Sequence, residues 1–123
     1  MFRILVADDH FAVRQGLLQL IREYYPDAEI GEAADTTALI NISLQENWNL
    51  IVTDLVMPGG GAIPAIKQIK HEKPDLPIVV ISTHSNEAYE DWTLKSGADF
   101  FLSKDLVSTR LAVLIRQILH DPM

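Results

Sequence analysis

The chain has 123 residues, 48% of them apolar and 22% charged, which fits a single globular domain with one good core rather than a disordered or fibrous chain. Its net charge of -7 excludes a basic nucleic-acid face on this segment, so any direct contact with DNA is expected outside it. The lack of cysteine excludes disulfide and thiolate chemistry, and an amino terminus that enters strand-like sequence at once, with no membrane-length apolar run, predicts a cytoplasmic protein that makes no membrane contact.

Residues 2–7 form a compact apolar run, predicted to be a strand, that ends in Asp8-Asp9. Between 10 and 24 the apolar residues Phe11, Val13, Leu17, Leu18, Leu20 and Ile21 recur at helical spacing, and Pro26 stops the helix. Residues 28–34 read as a weaker strand, after which Asp35 is placed to cap a helix running through Leu39, Ile40 and Leu44 to Glu46. The stretch Leu-Ile-Val-Thr-Asp-Leu-Val-Met-Pro at 50–58 is the third strand, and Asp54 ends its buried portion. Three glycines follow at 59–61, and Pro64 suits the first turn of a helix reaching about His71. Ile78-Val79-Val80-Ile81 is a fourth strand leaving through Ser82-Thr83; 86–96 is a helix with Gly97 past its end, 99–102 a fifth strand, and 106–120 an amphipathic last helix. Five strands alternating with five helices over short connections predict one α/β domain, residues 1–123, with a parallel sheet covered on both faces.

In such a sheet Asp8, Asp9, Asp54, Ser82 and Lys104 all leave at one edge, where α/β folds collect ligands. Carboxylates crowded into one pocket must raise a pKa or bind a cation, and oxygen donors alone favour a hard ion such as Mg2+. Three acids, one lysine and one divalent ion sum to about zero charge, which admits a phosphoryl group. Asp54 is then the candidate nucleophile toward phosphorus, Lys104 neutralises charge on the transferred group, and Ser82 donates a hydroxyl hydrogen bond to it. Taken singly, each residue has a plainer reading. Asp54 could begin a turn, the acid pair could cap a helix, Lys104 could be a surface lysine, and Thr83 or Ser85 could replace Ser82.

Together the acid pair Asp8-Asp9, Asp54 within Asp-Leu-Val-Met-Pro, Ser82 and Lys104 resemble the receiver (CheY-like) domain of two-component response regulators along essentially the whole chain. The resemblance implies a flavodoxin-like, doubly wound five-stranded sheet of order 2-1-3-4-5. It implies Mg2+ held by Asp9, Asp54 and the Val56 carbonyl, with Asp8 helping through water. A sensor histidine kinase is the implied donor, and the switch would draw Ser82 toward the phosphoryl group while Phe101 turns inward. By composition alone Phe101 could equally be core, beside Phe100. The Gly-Ala-Asp-Phe-Phe-Leu approach and the pair Lys104-Asp105 are similar to NarL/LuxR-type transcription regulators, whose helix-turn-helix output portion would lie outside this chain.

Two departures bear on the loops. Ala62 stands where the family usually has glycine, which predicts a looser or differently routed loop after Asp54. Asp105 stands where a cis proline often follows the lysine, and a non-proline cis bond costs about 2.5–4 kcal/mol, so the bond should be trans. Val56 and His84, two residues beyond Asp54 and Ser82, are expected to flank the phosphoryl group, with apolar Val56 hindering water. The other histidines look peripheral; His10 reads as a first-turn residue. Trp92, Leu94 and the stripe Leu106, Leu111, Val113, Leu114, Ile115 and Ile118 are expected mainly in the core, any surplus serving docking or a homodimer. A flavin or nucleotide enzyme is disfavoured because Asp8-Asp9 would repel a phosphate and no phosphate-binding glycine loop exists; an aspartyl phosphatase would carry an acid at Val56. The expected chemistry is thus self-phosphorylation without turnover of an external substrate. The remaining alternative is a phosphate-independent interaction module with the same fold.

Overall fold

The computed structural model describes residues 2–83 and 87–120. Its strands are β1 (Arg3–Ala7), β2 (Glu29–Ala33), β3 (Leu50–Asp54), β4 (Ile78–Ser82) and β5 (Phe100–Ser103). Its helices are α1 (Phe11–Tyr24), α2 (Thr36–Gln45), α3 (Ala62–Glu72), α4 (Glu87–Lys95) and α5 (Val107–His120), the last entered through one 3-10 turn at Lys104–Leu106. All neighbouring strands pair in parallel, in the order β2-β1-β3-β4-β5. The architecture is the expected doubly wound one, and element ends differ from the sequence reading by a residue or two.

Side-chain alternation sorts the strands into two cores. Leu5, Ala7, Ile51, Ile78 and Val80 face α2 and α3, where Leu39, Ile63, Ile66 and Ile69 meet them. Ile4, Val6, Val52, Val79 and Ile81 face the other way, onto Leu17, Leu18 and Ile21 of α1 and Leu111 and Ile115 of α5. Every residue of β3 and β4 is buried, as strands covered on both faces require.

Local chemistry sets the helix ends. Asp35 caps α2, its Oδ1 accepting from the Ala38 N–H at 2.7 Å. Pro64 sits in the first turn of α3, where its missing N–H costs nothing. The loop after β3 is tied down rather than loose. The Thr36 N–H donates to the Pro58 carbonyl at 2.9 Å, and the Thr36 hydroxyl to the Gly61 carbonyl at 2.8 Å. Ala62 is already helical; the glycine requirement has moved to Gly61, whose φ is +80° and where a Cβ would stand 2.8 Å from the Leu55 carbonyl oxygen. No cis peptide bond occurs among the described residues, and Lys104-Asp105 is trans.

Several apolar residues at helical spacing, among them some expected in the core, lie outside it. Phe11 and Val13 are exposed, because they occupy the first turn of α1, ahead of the stripe formed by Leu17, Leu18 and Ile21. Trp92 is 51% exposed and Leu94 is exposed too, since α4 turns Thr93 and the half-buried Tyr89 inward, one helical turn apart. Leu106 in the 3-10 turn and Val113 on the outer side of α5 are likewise exposed, whereas Leu111 and Ile115 are core and Leu114 and Ile118 pack against it.

Two glycines should respond to alanine in opposite directions. Gly16 lies inside α1 with open space where a Cβ would go, so Gly16→Ala should raise the urea midpoint by the equivalent of about 0.5–1 kcal/mol. Gly61→Ala, forced into a positive φ against a carbonyl, should lower it by about 1–3 kcal/mol.

Candidate functional site

Because the strands run in parallel, their carboxyl ends share one edge. Ala7 lies beside Thr53, Asp54 beside Ile81, and Ser82 beside Ser103, so Asp8, Asp54, Ser82 and Lys104 end up along a single rim. Asp8 is 1% exposed and Asp54 6%, with the Lys104 Nζ 3.4 Å from Asp54 Oδ2 and 3.7 Å from Asp8 Oδ2. Ser82 is buried at the end of β4, whereas Thr83 is exposed, which favours Ser82 as the residue facing the rim; Ser85 and His84 lie outside the described residues.

The electrostatics are unbalanced. Burial pushes the Asp54 carboxyl above the usual range, and the neighbouring Asp8 charge pushes it further; the Lys104 charge and hydrogen bond and the Val56 N–H act in the opposite sense. Asp8 Oδ2 is buried and has no hydrogen-bond partner, an expensive position for a carboxylate oxygen. One ligand atom from each of Asp8, Asp9, His10 and Asp54 lies within 4.8 Å of the others. An unpartnered buried oxygen among three carboxylates and one lysine is a donor set with charge to spare for a divalent cation, so the residues present fit Mg2+.

Two residues given no site role by the sequence reading hold the loop after β1; His10, read there as a peripheral first-turn residue, is instead the extended N-cap of α1, against the acid pair. Arg14 Nη1 donates to the Asp8 carbonyl at 2.7 Å while its Nε meets Glu32 Oε1 at 2.8 Å, linking the acid pair to the β2 edge. The His10 N–H donates to Asp8 Oδ1 at 2.9 Å, and its Nδ1 lies 3.3 Å from both Asp8 Oδ1 and Asp9 Oδ1. The signal for His10 was its position directly after an acid pair in a loop; Arg14 follows one helical turn later.

The remaining expected site residues take separate places. The Val56 side chain is 59% exposed, two residues past Asp54, with its N–H toward that carboxylate. Phe101 lies half-buried on β5 opposite Val80 and packs against the α2–α3 core, while Phe100 is exposed.

Comparison with known proteins identifies the family and the fold. The family model described as the response regulator receiver domain matches residues 4–116. The transcriptional regulatory protein LiaR of Bacillus subtilis is 35% identical over 117 residues, covering 94% of this chain and 55% of that protein. RcsB of Escherichia coli is 34% identical over 117 residues, covering 85% and 54%. The chain thus spans about half the length of the curated relatives it matches. A crystal structure of a LuxR-family two-component response regulator from Aurantimonas superimposes with a TM-score of 0.90 at 29% identity, covering 98% of this chain and 86% of that one. Fold, acidic rim and sequence therefore agree: the chain belongs to the response regulator receiver domain family of two-component systems, with relatives of the LuxR/NarL type.

Proposed function

We propose that residues 1–123 form one receiver domain that acts as a Mg2+-dependent phosphoryl-accepting switch, taking its phosphoryl group from a sensor histidine kinase. The observation that carries this reading is the buried Asp54 carboxylate, 3.4 Å from the Lys104 ammonium and beside an Asp8 oxygen that no protein group satisfies.

An Asp54 carboxylate oxygen forms the new bond to phosphorus, and the P–N bond of the donor phosphohistidine breaks with its electron pair leaving on the imidazole. Mg2+, when bound, would be held by Asp9, Asp54 and the Val56 carbonyl, with Asp8 helping through water, and would supply charge neutralisation to the phosphoryl oxygens. Lys104 stands where it can leave its pairing with Asp54 for a phosphoryl oxygen, and Ser82 donates its hydroxyl to another. The acyl phosphate adds negative charge at the rim, drawing Ser82 inward and letting Phe101 follow. The phosphorylated face would then govern an output module, DNA-binding by analogy with the transcription regulators among its relatives, or another partner, including a second copy of this chain. The reaction is the domain's own phosphorylation and dephosphorylation, without turnover of an external substrate. We infer a cytoplasmic setting; among the described residues no helix is long and apolar enough to cross a membrane.

Incubation with acetyl phosphate and Mg2+ should add one phosphoryl group by intact mass, and Asp54→Asn should abolish it. No addition to the unmodified chain would favour a phosphate-independent interaction module, and addition to Asp54→Asn would move the site. Val56→Asn, replacing an exposed apolar side chain near Asp54 with one that can position water, should speed loss of the phosphoryl group several-fold, followed by mass over time.

A carboxyl held above its usual range when folded binds its proton more tightly there than when unfolded, so its contribution favours the fold at low pH and is lost as pH rises through the raised value. In chelator, Asp54→Asn should therefore melt above the unmodified chain at pH 7.5, and the gap should close below the ordinary carboxylate range. Thermal scans across pH check this.

A further inference from the structure

His10 has no assigned task in the phosphoryl-transfer scheme, yet its ring is turned into the site. As the N-cap residue of α1 its side chain makes no capping hydrogen bond, so it does not serve the helix end. Its own N–H is bonded to Asp8 Oδ1 at 2.9 Å, which fixes the residue close to the acid pair. Nδ1 then lies 3.3 Å from Asp8 Oδ1 and 3.3 Å from Asp9 Oδ1, although the ring is 65% exposed and has open solvent available.

That spacing is the spacing of ligands. Adjacent donors around an octahedral ion with bonds of about 2.1 Å stand about 3 Å apart. The Asp9 oxygen and the ring nitrogen meet that condition to within a few tenths of an ångström, and an oxygen of Asp54 lies within the same 4.8 Å group. A second, independent feature points to a cation here: Asp8 Oδ2 is buried without a hydrogen-bond partner, the nearest cation being Lys104 at 3.7 Å.

We propose that His10 Nδ1 is a ligand of the divalent ion at this Mg2+ site, and that it adds affinity for borderline first-row ions such as Co2+ or Ni2+ beyond what the carboxylates alone supply. The reasoning is one of donor chemistry. Mg2+ dehydrates reluctantly and takes oxygen, whereas imidazole suits the later first-row ions, whose affinity rises from Mn2+ toward Cu2+. A site of carboxylates and water prefers these ions only through that general order; a nitrogen donor adds a preference removable at one residue. The inference rests on the proposal that the acidic rim binds a divalent ion at all, and the experiment separates the two.

Calorimetric titration of the metal-free chain with MgCl2 and with CoCl2 at a fixed pH of 7.5 measures both affinities, for the unmodified chain and for His10→Gln and His10→Asn. Asn is a good N-cap residue, so the second variant preserves the start of α1. Both variants should lose about tenfold or more in Co2+ affinity while Mg2+ affinity stays within about twofold. The Co2+-loaded unmodified chain should also show a hyperfine-shifted, exchangeable imidazole N–H proton resonance that is absent in both variants and retained in His71→Gln. Equal losses for the two ions, no loss for either, or an imidazole resonance surviving in the His10 variants would each overturn the nitrogen ligand and leave the Mg2+ reading intact. Failure of the unmodified chain to bind either ion would overturn both.

Discussion

Two carboxylates that cannot comfortably share a pocket are held together by the strands that carry them. Asp8 and Asp54 are almost wholly buried, side by side at the ends of β1 and β3, and Lys104 stands 3.7 Å and 3.4 Å away. A close ammonium–carboxylate contact is nearer about 2.8 Å, so Lys104 tempers the repulsion without cancelling it. The residual charge favours the entry of cations, and it makes the rim responsive to any change in charge at Asp54.

Such a site survives because its framework is indifferent to it. β3 and β4 are buried along their whole length, and the alternation of their side chains feeds two separate cores, so the strand ends are positioned by packing that has no stake in the carboxylates. The neighbouring α4 is different. Thr93 is its one buried residue among those described, and Trp92 and Leu94 look outward. Few buried apolar contacts mean low local stability, and this helix lies in the chain between Ser82 and the half-buried Phe101.

What could be read from the residues alone follows the range of the interactions involved. The unbroken apolar runs of β3 and β4, the Asp35 cap and Gly97 are local signals, and the structure places each where the pattern put it. The rim itself followed from topology, since parallel strands deliver their exits to one side. Periodicity failed where a helix end leaves the core it otherwise covers, as at Phe11, Val13 and Leu106, and where a short helix rotates so that its apolar residues straddle the buried line, as at Trp92 and Leu94. Gly61 shows a subtler limit: a motif counts positions, whereas the backbone requires only that some glycine meet the positive φ beside the Leu55 carbonyl.

Arg14 was not legible because its partners are a backbone carbonyl and a distant acid, which no spacing rule encodes; His10 had only its place directly after the acid pair to mark it. Their consequence emerges from an accounting of the polar atoms around Asp8. Its N–H is bonded to the Ala33 carbonyl at 3.0 Å, its carbonyl receives Arg14, and its Oδ1 receives the His10 N–H. Arg14 is anchored in turn by Glu32, so the loop carrying the acid pair is braced against the β2 edge from the side away from Asp54. One atom is left over, Oδ2, directed toward Lys104 and lacking a hydrogen bond. With Asp8 satisfied everywhere except at the oxygen facing the rim, the position of that acid is set by the fold, so an ion meeting it need not also supply the entropic cost of placing it.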